Sequence, residues 1–571
     1  MPQKRPFRIL EITILFIIMA ILYTYLPWHY GYIYSGDDLL FHLERLEEAY
    51  LNIKSHHFFV SEINTFSFSE FGQAINAFYP WGNLLPYALI RMFLHNPINS
   101  YYTYLTLEQF LGLIFAYISA KIITRSTSKS LIFTVLLRFS SVILFNDFSR
   151  ADIGESWAFI FVPLTFTGLY LILIKSNFNM GTLLLSLGLT FEIYCHIMVS
   201  FLSVLIMILL EIIWLYYGKP STLRLGRVLK AEALGTIIFT LNSLAILVPI
   251  LTFKNSTQLI WPDKKFFITR QINLNSVIEG SLNNNLSTLN IGILGLVVII
   301  ICLIQFKSFP RLNKICFIFG ILLLVIGTNA FPWYLFRNTA VASIQFAWRL
   351  IPFSILFIIF SFANSLQLKL STLTLVILFT IVFASGALTN YITSKNNNYS
   401  KDDTYSFQHP YGKNIDKKIY KRSLTYYYYN KDSYHMDYIP KKTYKSKNFN
   451  SYNVYDHMAI INGRKTYLSS KELHPIYQGM TYKFNSSSKI HTVELPFLIY
   501  NSNFYKVTVN DKPYKTIITE NQLPLVSKKT DSIRKVTIQY VTPSLFIIVR
   551  FISLISILIS FFLIFLMDKK F

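Results

Sequence analysis

Residues 34–50, YSGDDLLFHLERLEEAY, set two adjacent carboxylates, Asp37 and Asp38, ahead of His42 and Arg45. On a helix starting near Asp37, the residues Asp38, His42 and Arg45 fall at i, i+4 and i+7 and share one face. Carboxylate, imidazole and guanidinium together are the groups of proton transfer and of anion binding. Leu39, Leu43 and Leu46 form the other flank. They predict an amphipathic helix lying at a membrane interface, with Asp37 or Asp38 free to act as its N-cap.

Three further constellations carry ionisable groups. NDFSRADIGESW, residues 146–157, brings Arg150, Asp152 and Glu155 within six positions, where they either brace a tight loop or face a polar cavity. Glu192 and His196, at i and i+4, resemble half of a metal site, but two ligands do not make one, and polar packing inside a helix bundle is the better reading. SIQFAWRLIP, residues 343–352, places Gln345 and Arg349 one turn apart. That arginine is built either to clamp a phosphate or to snorkel beside Trp348. Lys264, Lys265 and Arg270 are weaker versions of the same idea.

The elements that must position these groups are apolar. The 571 residues are 53% hydrophobic and only 14% charged, with a mean hydropathy of +0.41, and runs of bilayer-spanning length recur. Spans are expected near 9–29, 103–123, 130–146, 157–175, 180–197, 198–217, 232–252, 290–306, 315–331, 350–368, 371–390 and 543–567, about twelve in all. The first is too long for a signal-peptide core and no small-residue cleavage site follows it, so it reads as a retained span.

Lys121, Arg125, Lys129, Lys175, Lys219, Arg224, Arg227, Lys230, Lys307, Arg311, Lys314 and Lys369 fall in the alternate short loops. This places both termini in the cytoplasm and loops 30–102 and 253–289 outside. Every candidate cluster then lies toward the outer side. Residues 1–390 read as a helical membrane domain, 391–541 as an extracellular β-rich, sandwich-like domain, and 542–571 as a last span and tail. YKVTVNDKPYKTIITE has the alternation and Asn-Asp turn of a hairpin. Residues 391–541 hold 24 Lys and Arg against 11 Asp and Glu, which either keeps the surface soluble or suits an anionic partner. Three cysteines in apolar runs imply no disulfide framework.

A first span followed by an exterior loop opening on an acidic residue resembles the GT-C superfamily of polytopic glycosyltransferases. More closely, SGDDLLFHLERLEE, FYPWGNLLPYAL, RADIGESWAFIFVPLTFTGLY, QFAWRLIP and HMDYIP resemble the YfhO-like bacterial membrane proteins, some labelled as related to 6-pyruvoyl-tetrahydropterin synthase. The family pattern G-x-D-x-x-F-H-L-x-R-I covers Gly36, Asp38, Phe41, His42, Leu43 and Arg45, with Leu46 where isoleucine is usual. This singles out Asp38. QFAWR stands where the family often has Q-F-P-W-R.

The resemblance implies a glycosyltransferase of the bacterial plasma membrane. Its donor would be a polyprenyl-phosphate-linked sugar, and its acceptor lipoteichoic acid or another anionic cell-wall or lipid-anchored glycopolymer. A cytoplasmic-side enzyme making the donor, a flippase and membrane lipids would be partners; nucleic acid would not. Asp38 would be either the general base or the ligand of a divalent cation, Mg²⁺ or Mn²⁺, with His42 beside it and Asp37 a further candidate. Arg150 and Arg349 would hold the leaving phosphate, while Arg45, Asp152, Glu155, His196 and Gln345 would complete the substrate site. Two other classes compete: a transporter or flippase of lipid-linked saccharide, and a non-catalytic scaffold binding wall polymer. Pterin chemistry finds no histidine triad spaced for its zinc.

Overall fold

The computed structural model describes residues 4–30, 33, 36–57, 59–366, 370–399, 436–445, 451–484, 489–529 and 531–568. The chain is mostly helical, with a β-rich region before its last helix. Among the described residues, ten helical segments are long and apolar enough to cross a membrane, and each matches an expected span. The other two expected spans form the helices Gly292–Gln305 and Arg311–Ile326, of 14 and 16 residues. At about 1.5 Å per residue they fall short of a ~30 Å hydrocarbon core. The expected twelve are therefore ten long helices and two short ones.

Burial sorts the long helices into layers. Thr127–Arg150, Ile153–Leu173 and Ala347–Ser365 are 89%, 94% and 89% buried within the protein, whereas Ile9–His29, Ile197–Gly218 and Ser544–Met567 are 28%, 33% and 22% buried. Apolar side chains such as Ile555 and Phe562 remain exposed on the outer set, as suits helices with a lipid-facing side. Arg150, Asp152, Glu155 and Arg349 therefore sit at the ends of the three innermost segments.

The helix expected to lie on a membrane interface is packed into the protein. Leu39–Lys54 is buried at Leu39, at residues 42–50 and at Asn52, and packs on Leu84–Leu94. Its acidic stripe faces protein rather than water. Glu47 pairs with Arg91 at 3.1 Å and accepts from the Tyr87 hydroxyl at 2.6 Å. Glu44 accepts the backbone N–H of Phe68, and Glu48 those of Thr65 and Phe66. The loop at 65–70 needs these acceptors, because Phe68, Ser69 and Glu70 all have positive φ and form no regular ladder that would satisfy its amides.

The β-rich region holds ten strands: β1 Met458–Ile461, β2 Arg464–Tyr467, β3 Leu473–Ile476, β4 Gly479–Lys483, β5 Thr492–Glu494, β6 Tyr505–Val509, β7 Lys512–Tyr514, β8 Ile517–Ile518, β9 Pro524–Ser527 and β10 Lys535–Tyr540. They form two antiparallel five-stranded sheets, ordered β2-β1-β5-β9-β8 and β3-β4-β10-β6-β7. Inward residues of both, among them Val493, Val526, Tyr482, Val536 and Ile538, meet in one cluster. The expected hairpin joins β6 to β7 through Asn510 and Asp511, both at positive φ, the twist-compatible two-residue turn. A second such turn, Asn462-Gly463, joins β1 to β2. The helix Leu370–Tyr399 runs past position 391, and residues 400–435 lie outside the described part.

This region is docked on the helices. Leu498 N donates to Phe71 O at 2.9 Å, Thr65 Oγ1 to Ile476 O at 2.8 Å, and Leu259 bridges to Pro440. Arg550 and Glu62 form a buried ion pair at the same junction.

Candidate functional site

The chain enters the site at Gly36. Asp38 N donates to Arg150 O at 2.8 Å and Asp37 N to Ser149 O at 3.4 Å, so the entry turn lies against the 149–151 backbone. A Cβ on Gly36 would come within 2.8 Å of Ala151 Cβ and 2.9 Å of Ser149 O; only glycine permits this approach. Asp38 then occupies the N-cap position of Leu39–Lys54 without making a side-chain cap. Its carboxylate is used elsewhere: Oδ2 accepts from Arg150 Nε at 3.0 Å.

Arg150 is the hub. It ends a π-helical turn over Phe145–Arg150, and Ala151 follows in the left-handed region at φ 56, reversing the chain before Asp152. A widened turn of this kind is common at functional sites. Arg150 Nη2 meets Asp152 at 2.8 Å, and Nη1 meets Glu155 at 2.6 Å and Asn146 at 3.1 Å. The guanidinium lies 4.5 Å from the Trp348 ring centre. Glu155 Oε2 is shared with Arg349 Nε at 3.2 Å. Arg349 also donates through Nη1 to Gln345 Oε1 at 3.2 Å and to Ile344 O at 2.9 Å. Gln345 reaches it from a strained φ of 65.

Asp152 gathers the remaining groups. His42 Nε2 lies 3.0 Å from Oδ1, the Tyr79 hydroxyl donates to Oδ1 at 3.1 Å, and His196 Nε2 stands 4.0 Å from Oδ2. Arg45 braces Tyr79 from behind, 4.2 Å from its ring centre, with donation to Tyr79 O at 3.0 Å and Pro80 O at 2.6 Å. Burial pulls the Arg45 pKa down to about 10, which leaves it cationic at neutral pH.

Sequence spacing thus finds most of the cluster. Asp38, His42, Arg150, Asp152, Glu155, His196, Gln345 and Arg349 converge, while Arg45 supports them from below. Asp37 does not join: it is exposed and makes none of these ion pairs. His42 orients Asp152 rather than Asp38. Glu192 and His196 part company because the helix stops at Cys195 and His196 caps the next one; Glu192 bonds Thr165 at 2.5 Å. Tyr79, Asn146 and Trp348 were not singled out as site residues from sequence. The aromatic run AFYPWG in a polar loop was the available signal for Tyr79.

Electrostatics separate the two aspartates. Burial would raise the Asp152 pKa, but Arg150, His42 and His196 overcome it and hold the carboxyl well below the usual range. Asp38 moves the other way: the protein packed around it raises its pKa, opposed chiefly by Arg150. Its side chain nevertheless keeps 44% of its surface open, against 4% for Arg150 and Asp152 and 1% for Glu155, and that open face limits the rise. Asp38 is the carboxylate of the network that solvent can reach.

Asp152, Glu155 and His196 bring ligand atoms within 4.8 Å of one another, yet they do not fit a resident divalent cation. Both carboxylates are already bonded to guanidinium groups. Burial pulls the His196 pKa down to about 4, and its Nδ1 accepts Val199 N at 3.3 Å, so the proton of the neutral ring lies on Nε2, the atom facing Asp152. Asp38 Oδ2 is likewise committed to Arg150. Mg²⁺ and Mn²⁺ need several free oxygen ligands.

The wall above the site is aromatic. The rings of Phe266, Phe346 and Trp348 follow one another at 6.2 and 5.0 Å, nearly parallel. Tyr438, from the segment that pairs with 258–260, stacks on Phe78 at 4.8 Å beside the loop that carries Tyr79. Comparison of the chain with protein-family models, curated proteins and solved structures gives no match.

Proposed function

We propose that the protein is a GT-C-type membrane glycosyltransferase that moves a sugar from a polyprenyl-phosphate donor to an acceptor hydroxyl at the outer membrane face. Asp38 is its general base. The observation that carries the reading is the pairing of one open carboxylate with a buried, charge-saturated network that fixes its position. Two neighbouring carboxyls whose surroundings push their pKa values apart are the usual basis for acid–base assignment: Asp152 stays ionised while Asp38 can accept a proton.

In this reaction Asp38 Oδ1 takes the proton of the acceptor hydroxyl as its oxygen attacks the anomeric carbon. The bond from that carbon to the phosphate oxygen breaks, and the electron pair leaves on polyprenyl phosphate. Arg150 already donates Nε, Nη1 and Nη2 to Asp38, Glu155, Asn146 and Asp152, so it positions the base. Arg349 donates Nε and Nη1, and its Nη2 has no partner among the described residues. Arg349 is therefore the better group to stabilise charge developing on the phosphate. The half-buried faces of Phe346 and Trp348 supply a surface for the sugar ring. The acceptor is an anionic envelope glycopolymer, in keeping with the net positive charge of 391–541.

The test is sugar analysis of envelope polymers in cells that lack the protein, complemented with wild type, Asp38→Asn or Asp37→Asn. Wild type and Asp37→Asn should restore the modification and Asp38→Asn should not. A transporter of lipid-linked saccharide would tolerate Asp38→Asn if the carboxylate took no part in substrate passage.

A further inference from the structure

An apolar cavity that does not include Asp38 or its partners lies within the helix bundle. It measures about 430 Å³ and is lined by residues such as Ala120, Leu173, Trp214, Cys316 and Phe357, with Arg224 and Arg311 among them and no Asp or Glu. Its volume is within the ~300–1,000 Å³ of ligand pockets.

Helix direction shows which end it occupies. The candidate site takes Asp152 and Glu155 from the start of Ile153–Leu173, His196 from the start of Ile197–Gly218, and Arg349 from the start of Ala347–Ser365. The cavity takes Leu173, Gly218 and Phe360 from the far parts of the same segments. It therefore opens toward the end of the bundle that carries Lys175, Lys219, Arg224, Arg227 and Arg311, the last three on the first turns of Thr222–Ser256 and Arg311–Ile326.

The two arginines are only partly used. Arg224 donates Nη2 to Leu173 O at 2.7 Å and stands 5.6 Å from the Trp214 ring, while its Nε is buried without a hydrogen-bond partner among the described residues. Arg311 is exposed, with one donation to Tyr217 O at 3.3 Å and the Tyr217 ring 5.1 Å away. An apolar chamber rimmed by cations on a membrane helix bundle matches an amphiphile with an anionic head.

We propose that this cavity holds an acyl chain of an anionic phospholipid from the surrounding membrane, whose phosphate is bound by Arg224 and Arg311. A polyprenyl-phosphate donor is the poorer occupant, because a head group held here would lie at the opposite end of Ile153–Leu173 and Ile197–Gly218 from the cluster that holds Asp38. The site is independent of the proposed reaction.

The test uses the full-length protein in detergent, with thermal unfolding followed as lipid is added. Phosphatidylglycerol should raise the midpoint by about 2 °C or more through binding to the native state, and phosphatidylcholine or inorganic phosphate should not. Arg311→Gln, at an exposed position, should abolish the difference between the two lipids; Arg224→Gln should do the same. Native mass spectrometry of the wild type should retain the anionic lipid, and Arg311→Gln should lose it. Equal stabilisation by both phospholipids overturns the proposal, as does an equal effect of inorganic phosphate or an undiminished response in Arg311→Gln. Stabilisation by a polyprenyl phosphate but not by phosphatidylglycerol would assign the cavity to the other lipid and overturn it equally.

Discussion

Asp38 and Arg150 touch at 3.0 Å, yet their removal should have different consequences. Asp38→Asn deletes a carboxylate with 44% of its side-chain surface open, so stability should change by about 1 kcal/mol or less, while transfer falls ~10²-fold or more. Arg150→Gln leaves Asp152 and Glu155 buried without their shared cation, a loss on the order of 3–5 kcal/mol. Thermal unfolding of the two variants should show a near-native midpoint for the first and a strongly lowered one for the second. Arg349→Lys keeps a charge near Glu155 but loses the planar fork, and should cut transfer ~10-fold or more with stability nearly retained, as an assay beside an unfolding curve would read. Sequence spacing made Asp38, Arg150 and Arg349 visible as candidates. It could not tell Arg349, with a free Nη2, from Arg150, whose donors are committed, because partners nearly 200 positions apart leave no local pattern.

Two segments set the geometry, the Gly36 entry turn and the 59–79 loop. Gly36→Ala should separate the entry turn from Ala151 and Ser149, lowering transfer without removing any charged group; the measure is activity per folded molecule. The loop predicts a pH dependence. Burial raises Glu48 and Glu70 to about 7 and Glu44 well above its usual 4.5. Between about 4.5 and 7 the native state holds more protons than the unfolded chain, so stability falls as pH rises through that window. The thermal midpoint should be higher at pH 6 than at pH 8, and Glu70→Gln should flatten the difference. The helix Leu39–Lys54 was legible as a helix but not as a buried one. Its glutamates look like a solvated stripe until the loop amides they accept from are in view. The Asn462-Gly463 turn was available in the sequence, but the Tyr- and Lys-rich stretch before it hides the strands.

At the scale of the molecule, hydrophobic runs and loop charge indicated the helical body and a β-rich region near the C-terminus. The two short helices Gly292–Gln305 and Arg311–Ile326 differ from spans by only a few residues of length, a margin that hydropathy cannot resolve. The docking of the sheets onto the loop behind Tyr79 depends on contacts such as Leu498 with Phe71, which no periodicity encodes. That junction adjoins the candidate site, so under the proposed function both parts would act as one unit with Asp38 at its open face. The most direct test supplies purified full-length protein with polyprenyl-phosphate-linked sugars and an anionic glycopolymer, and compares wild type with Asp38→Asn of equal thermal midpoint. The proposed function predicts sugar transfer by the wild type and a loss of at least ~10²-fold in the variant. Transfer by Asp38→Asn at the wild-type rate would contradict it.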